Sequence, residues 1–168
     1  SWNIGEHEGE ISIGKYSLIT PGVRIMAAKK IVIGDACMIA HGAYISDADW
    51  HGIYDRAEPV GKTKPVVLED NVWIGDSAII CKGVTIGKNS IIGAGAVVTK
   101  DVPENSVFAG NPAKQVKKLD KEKFNTRENF FEDPKKLAHD FDMLDKYTLK
   151  DNSILNWIKS LINPDKSH

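Results

Sequence analysis

With two cysteines, no long apolar run and no excess of either charge, the chain falls outside several classes of protein at once. Cys37 and Cys81 are too few, and lie in no CxxC spacing, for a disulfide framework or a thiolate metal site. Lys and Arg number 22 against 23 Asp and Glu, so the basic surface that neutralises phosphates is missing and nucleic-acid binding is not expected. No stretch approaches the roughly 18 continuous apolar residues of a membrane span, and no membrane insertion is expected. The start, SWNIGEHEGE, has neither an initiator methionine nor the features of a secretion signal. A cytoplasmic protein is the expectation from that end, with a missing true beginning left open. Between Leu68 and Pro103 there is neither the three-and-four spacing of a helix nor the plain alternation of a two-faced strand.

What stands there instead is a period of six. Leu68, Ile74, Ile80, Ile86, Ile92 and Val98 recur at that interval, and Gly75, Gly87 and Gly93 follow three of them. Such a run predicts a parallel β-helix of hexapeptides, each unit supplying one short strand and one corner, with three units closing a triangular coil. The aliphatic residues point inward and stack at the strand spacing of about 4.8 Å. Glycine just past each one is expected to let the backbone bend at the corner. Small residues four places on, such as Ala78, Ser90 and Ala96, suit a cramped interior. Cys37 occupies that place in its own repeat and reads as a buried structural thiol.

Taken in order, Ile4-Gly5 hints at an incomplete coil, after which Ile13, Ile19 and Ile25 mark one coil and Ile33, Ile39 and Ile45 another. The period fails between Asp49 and Pro65, so residues from about 50 to 65 are expected to be expelled as a loop, and such insertions tend to carry function. Two more coils run from Leu68 to about Pro103. PENSVFAGNPAK then ends the pattern, because Gly110-Asn-Pro112 cannot continue a strand ladder. The expected fold is an all-β solenoid of about five triangular coils over residues 1–118, with a helical extension over 119–168. In that extension Asp133-Pro134 opens a helix carrying Leu137, Phe141 and Leu144 on one face, and Asn152 or Ser153 caps another with Ile154, Trp157, Ile158, Leu161 and Ile162 in a stripe. Covering an exposed rung or packing on a neighbouring subunit is the expected role of these helices.

VWIGDSAIICKGVTIGKNSIIGAGAVVTKDVPENSVFAGNPAK resembles the hexapeptide-repeat acyltransferases, above all the O-acetyltransferases acting on maltose and galactosides. The resemblance covers roughly residues 11–118 and implies a left-handed parallel β-helix, an exception to the usual right-handed crossover. It implies acetyl-CoA as acyl donor, no metal, and a homotrimer whose sites lie between chains. It places a catalytic histidine at His51 and the pantetheine arm along Trp73, Gly75, Ala94 and Gly95. Thr99 and Lys100 match the family's VTKD segment. Lys114 and Lys117 fall where relatives offer basic residues to the nucleotide phosphates, and lysine suits phosphate as a point charge. Trp73 also has the alternative of packing on a neighbouring subunit.

The chemistry such a site needs is modest. A thioester has a good leaving group, so the enzyme aligns an acceptor hydroxyl and removes its proton. An imidazole with a pKa near about 6.5 can be that base. His51 is assigned the role, in direct transfer without an acyl-enzyme. Asp47 or Asp49 is a candidate to orient its ring, and a corner amide near Gly75 is the candidate oxyanion donor. Saccharide hydroxyls are the expected acceptors, with amines open and with Tyr54, Asp55 and Arg56 available on the loop. His41 reads either as an exposed corner residue or as facing the same cleft. His7, His139 and His168 read as surface residues. The alternatives are a zinc enzyme like the γ-carbonic anhydrases, for which His41 and His51 lack a third ligand, and a sugar-binding solenoid without catalysis.

Overall fold

A computed structural model describes residues 8–121, 123–150 and 153–162 of the chain. The hint of a coil at Ile4-Gly5, the helix stop at Asn163-Pro164, and His7 and His168 lie outside them. Every hexapeptide read from the sequence becomes a strand. The first coil holds β1 (Glu10–Ile13), β2 (Leu18–Ile19) and β3 (Arg24–Met26), and the second β4 (Lys30–Ile33), β5 (Met38–Ile39) and β6 (Tyr44–Ser46). The third holds β7 (Val66–Leu68), β8 (Trp73–Ile74) and β9 (Ile79–Ile80), and the fourth β10 (Thr85–Ile86), β11 (Ile91–Ile92) and β12 (Val97–Val98). A partial fifth coil follows, in which Val102 bridges Ile86 and β13 (Ser106–Ala109) stacks on β11. Equivalent strands pair in parallel to form three flat walls, β1-β4-β7-β10, β2-β5-β8-β11-β13 and β3-β6-β9-β12.

Registry puts the aliphatics in columns. Ile33 pairs with Leu68 and Leu68 with Ile86, Ile39 with Ile74 and Ile74 with Ile92, and Ile45 with Ile80 and Ile80 with Val98. All of these are buried, as are Cys37, Ala78, Ser90 and Ala96 at the small positions. Each isoleucine removed from water in this way contributes about 1.5–3 kcal/mol. Among the described residues no rung lies on the outer side of the first coil, and Ile13 is 50% exposed where Ile33 is 2% exposed.

The corners work differently from expectation. The glycine after an inward aliphatic does not supply the bend; it lets rungs pass closely. A Cβ on Gly75 would lie 2.6 Å from the Ala94 nitrogen, and one on Gly87 2.4 Å from the Glu104 nitrogen, with neither glycine in a left-handed conformation. The bend falls three residues after the aliphatic, at Tyr16, Gly22, Ala36, Gly42, Asn71, Ser77, Gly83, Asn89 and Gly95, all at positive φ. Asparagine tolerates that region. Asn71, Asn89 and Asn105 also form a side-chain ladder, with Nδ2 of Asn71 donating to Asn89 at 2.9 Å and Nδ2 of Asn89 to Asn105 at 3.0 Å.

The segment expected to end the pattern does more than end it. Gly110, at φ +93°, turns the chain, but β14 (Lys114–Lys118) then pairs antiparallel with β13 and extends the second wall by a hairpin edge. The chain divides into two compact units, Ser1–Glu128 and Asn129–His168. A 3-10 helix at Arg127–Phe131, not foreseen in the sequence, precedes α1 (Pro134–Thr148). Asp133 caps α1, its carboxylate accepting from the Lys135 and Lys136 amides. Ser153 does the same for α2 (Ile154–Ile162) by accepting from the Asn156 amide at 3.1 Å. No described helix is long and apolar enough to cross a membrane.

Candidate active site

Each triangular coil has three corners, and the residues picked from sequence divide between them. The second corner, between the second and third walls, stacks residues 20–23, 40–43, 75–78 and 93–96 one above another. Gly75, Ala94 and Gly95 lie on it and Trp73 stands at its edge. The third corner, where the chain leaves one coil for the next, holds the excursion between β6 and β7 and the turns at 81–84 and 99–101. His51, Thr99 and Lys100 lie there. A wall of the helix separates the two sets within one chain. Lys114 and Lys117 are on β14, exposed, with Lys114 at the end paired with Ala109 and Lys117 opposite Val107.

At the second corner the backbone amides are unequally employed. The Gly75 amide donates to Ile92 O at 2.8 Å, so it belongs to the ladder and cannot itself be the oxyanion donor. Ser77 donates to His41 O and Gly95 to Asp76 O. Among the described residues the amides of His41, Asp76 and Ala94, equivalent positions on successive coils, have no partner, and all three residues are exposed. These are the donors the corner offers to a ligand, and sequence reasoning missed that the useful position is the residue after the glycine. Trp73 is 45% exposed on the outside of β8 and sits in an outward column with Leu18, Met38, Ile91 and Val107 on successive strands.

The excursion leaves the third corner through a pinned neck. Asp49 donates its amide to Lys62 O at 2.9 Å and accepts from Gly61 at 2.7 Å, Lys64 donates to Asp47 O, and Ala48 bridges Thr63. Trp50 is tied back by its indole N–H to Ser46 Oγ at 3.0 Å. His51 therefore stands exposed one residue beyond a fixed point, its ring without a partner among the described residues. Farther out, Arg56 donates to Ile53 O, Asp55 accepts from the Ala57 amide at 2.9 Å, and Tyr54 is almost wholly exposed.

Neither aspartate considered for orienting His51 bonds to it. Asp47 is fully buried, and its carboxylate accepts from the amides of Ala28, Lys29 and Lys30 at 2.7, 2.7 and 2.6 Å. It fastens the preceding coil's corner, and three charge-assisted bonds leave its oxygens committed. Asp49 pairs with Lys82 Nζ at 2.5 Å across to the next coil. Burial pushes both the Cys37 and Cys81 thiols above their ordinary pKa, as suits structural thiols. Among the described residues no group of three His, Cys, Asp or Glu is placed to hold a metal ion.

Known proteins are similar to this chain in sequence and fold. Residues 65–100 match the family described as bacterial transferase hexapeptide (six repeats). Galactoside O-acetyltransferase of Escherichia coli is 36% identical over 111 residues, 65% of this chain and 54% of that protein. The solved maltose O-acetyltransferase of Clostridium difficile is 35% identical with a TM-score of 0.53, covering 67% of this chain and 68% of that one. A hexapeptide-repeat acetyltransferase of Vibrio cholerae, solved with acetyl-CoA, is 36% identical with a TM-score of 0.61, covering 66% and 61%. The alignments span 64%, 28% and 54% of the lengths of three curated relatives. With its stacked six-residue rungs and these likenesses together, the chain belongs to the hexapeptide-repeat acetyltransferase family.

Proposed function

We propose that this chain moves an acetyl group from acetyl-CoA to a hydroxyl of a saccharide or similar small acceptor, with His51 as general base and a homotrimer as the working unit. The observation that carries the proposal is the division of the site between two corners. His51, Thr99 and Lys100 lie on one, the free amides of Asp76 and Ala94 on the other, and a second copy is needed to bring the sets together. The apolar column containing Trp73 flanks the second corner and offers a surface for that copy. Related structures hold acetyl-CoA or coenzyme A.

In this reading the pantetheine arm follows the second corner past Trp73, Gly75, Ala94 and Gly95, with Lys114 and Lys117 toward the nucleotide phosphates. The acceptor oxygen attacks the thioester carbonyl while neutral His51 takes its proton. An amide such as that of Asp76 steadies the tetrahedral oxyanion. Collapse expels the CoA thiolate, which regains the proton from the imidazolium, leaving an acetyl ester and free CoA.

The test is CoA release from acetyl-CoA across a panel of galactosides, maltose and amino sugars, repeated with His51→Ala. Turnover is expected with at least one saccharide, and a fall of about 10²–10⁴-fold in the variant with unchanged acetyl-CoA affinity. Near-normal turnover would remove His51 as the base, and no release with any acceptor would sink the activity. A monomer by light scattering at micromolar concentration would count against the shared site.

A further inference from the structure

Two titratable side chains on the second corner are left unused by the proposed mechanism: the Asp76 carboxylate, which accepts from Ser77 Oγ at 2.7 Å, and His41, whose ring is tied to the neighbouring coil. His41 lies one coil below Asp76, and its carbonyl accepts from the Ser77 amide at 2.9 Å. Its Nδ1 is 2.7 Å from Pro21 O on the coil beneath. A carbonyl can only accept, so Nδ1 carries the proton and the neutral ring's Nε2 keeps its lone pair. The ring also rests where Gly22 has no side chain; a Cβ there would come within 2.6 Å of Cε1. Tautomer and position are thus both set, while the residue as a whole remains exposed.

The level of this ring decides what it can meet. Rungs stack about 4.8 Å apart. A CoA whose nucleotide lies toward β14 and whose arm descends past Ala94 and then Asp76 brings its thioester to the third coil. His41, on the second, stands one rung beyond the reacting carbonyl, on the side from which an acceptor enters. It also stands at the level where the excursion bearing His51 leaves the helix.

We propose that His41 binds the acceptor, its Nε2 accepting a hydrogen bond from a saccharide hydroxyl and so holding the neighbouring hydroxyl toward the thioester. This rests on the reading of the second corner as the acetyl-CoA track. It makes His41 a specificity-determining contact and leaves proton removal to His51. No bond is made or broken at His41.

The experiment compares the intact protein with His41→Asn and His41→Ala, using acetyl-CoA with methyl β-galactoside or maltose. Asparagine keeps a donor for Pro21 O but presents no imidazole nitrogen outward, so it separates corner packing from recognition. Both variants are expected to raise acceptor KM about tenfold or more, to lower kcat by less than about threefold, and to leave the acetyl-CoA Kd unchanged, because a contact made equally in ground and transition states sets acceptor binding and not turnover. Unchanged acceptor KM in His41→Asn would overturn the proposal. So would a hundredfold loss of kcat at constant KM, which would make His41 the base. If unaltered protein binds acetyl-CoA but acetylates neither sugar, the acceptor class and this proposal fall together. If it binds no acetyl-CoA, the track itself is wrong.

Discussion

The second and third corners of this solenoid are made from the same hexapeptide unit and have opposite characters. The second repeats four residues at every level, with a left-handed residue at Gly22, Gly42, Ser77 and Gly95 and free amides in line at Asp76 and Ala94. The third is different at each level, from the tight turn after β3 to the long excursion after β6. A regular corner presents the same backbone groups at a fixed spacing, which suits an extended, repetitive ligand. An irregular one can place a single side chain off the wall. In the proposed function the strict corner tracks the acetyl-CoA and the released one carries the base.

The sharpest way to break that comparison is complementation. His51→Ala damages only the third corner, and Ala94→Trp, at an exposed position, blocks only the second. Each alone should lose most activity, while a refolded equal mixture should recover about a quarter of the sites, those built from one intact corner of each chain. No recovery in a mixture shown to contain hetero-oligomers would mean that both corners act within one chain.

Asp47→Ala probes how the third corner is held. It strands three amides, one of them buried, that now share a charge, so a stability loss of about 2–4 kcal/mol is expected in denaturant titration. Acetyl-CoA affinity per folded molecule should not change. For the second corner, Gly75→Ala should cost about 1–3 kcal/mol, because its Cβ meets backbone of the next coil and not a movable side chain. Gly95→Ala meets nothing within 4 Å and should cost less, through its positive φ alone. Lys82→Met removes a half-exposed ion pair at the neck and should change stability by no more than about 1 kcal/mol. Smallest of all, Cys37 and Cys81 should both alkylate slowly at neutral pH, Cys37 the slower because it is buried, as mass spectrometry of iodoacetamide-treated protein would record.

Much of this was legible in the sequence because a column of identical inward residues leaves a periodic trace. Ile74 and Ile80 announce their strands, the gap after Asp49 announces the excursion, and Asp133-Pro134 announces α1. Non-periodic partners leave no trace. Nothing about Asp47 in the sequence says that its carboxylate reaches back nineteen residues to the Ala28 amide. The role of glycine after each aliphatic was misjudged for a related reason: closeness of rungs and curvature of a turn both favour glycine, and only φ angles tell them apart. For the same reason, which corner each candidate residue occupies needed coordinates.

The left-handed residues have a practical side. Tyr16, Ala36 and Ser77 hold a backbone shape that a residue without a side-chain branch adopts more readily. A search for heat-resistant descendants of this protein would find gains at the first two, since they lie at the first corner and exchanging them leaves the second corner untouched.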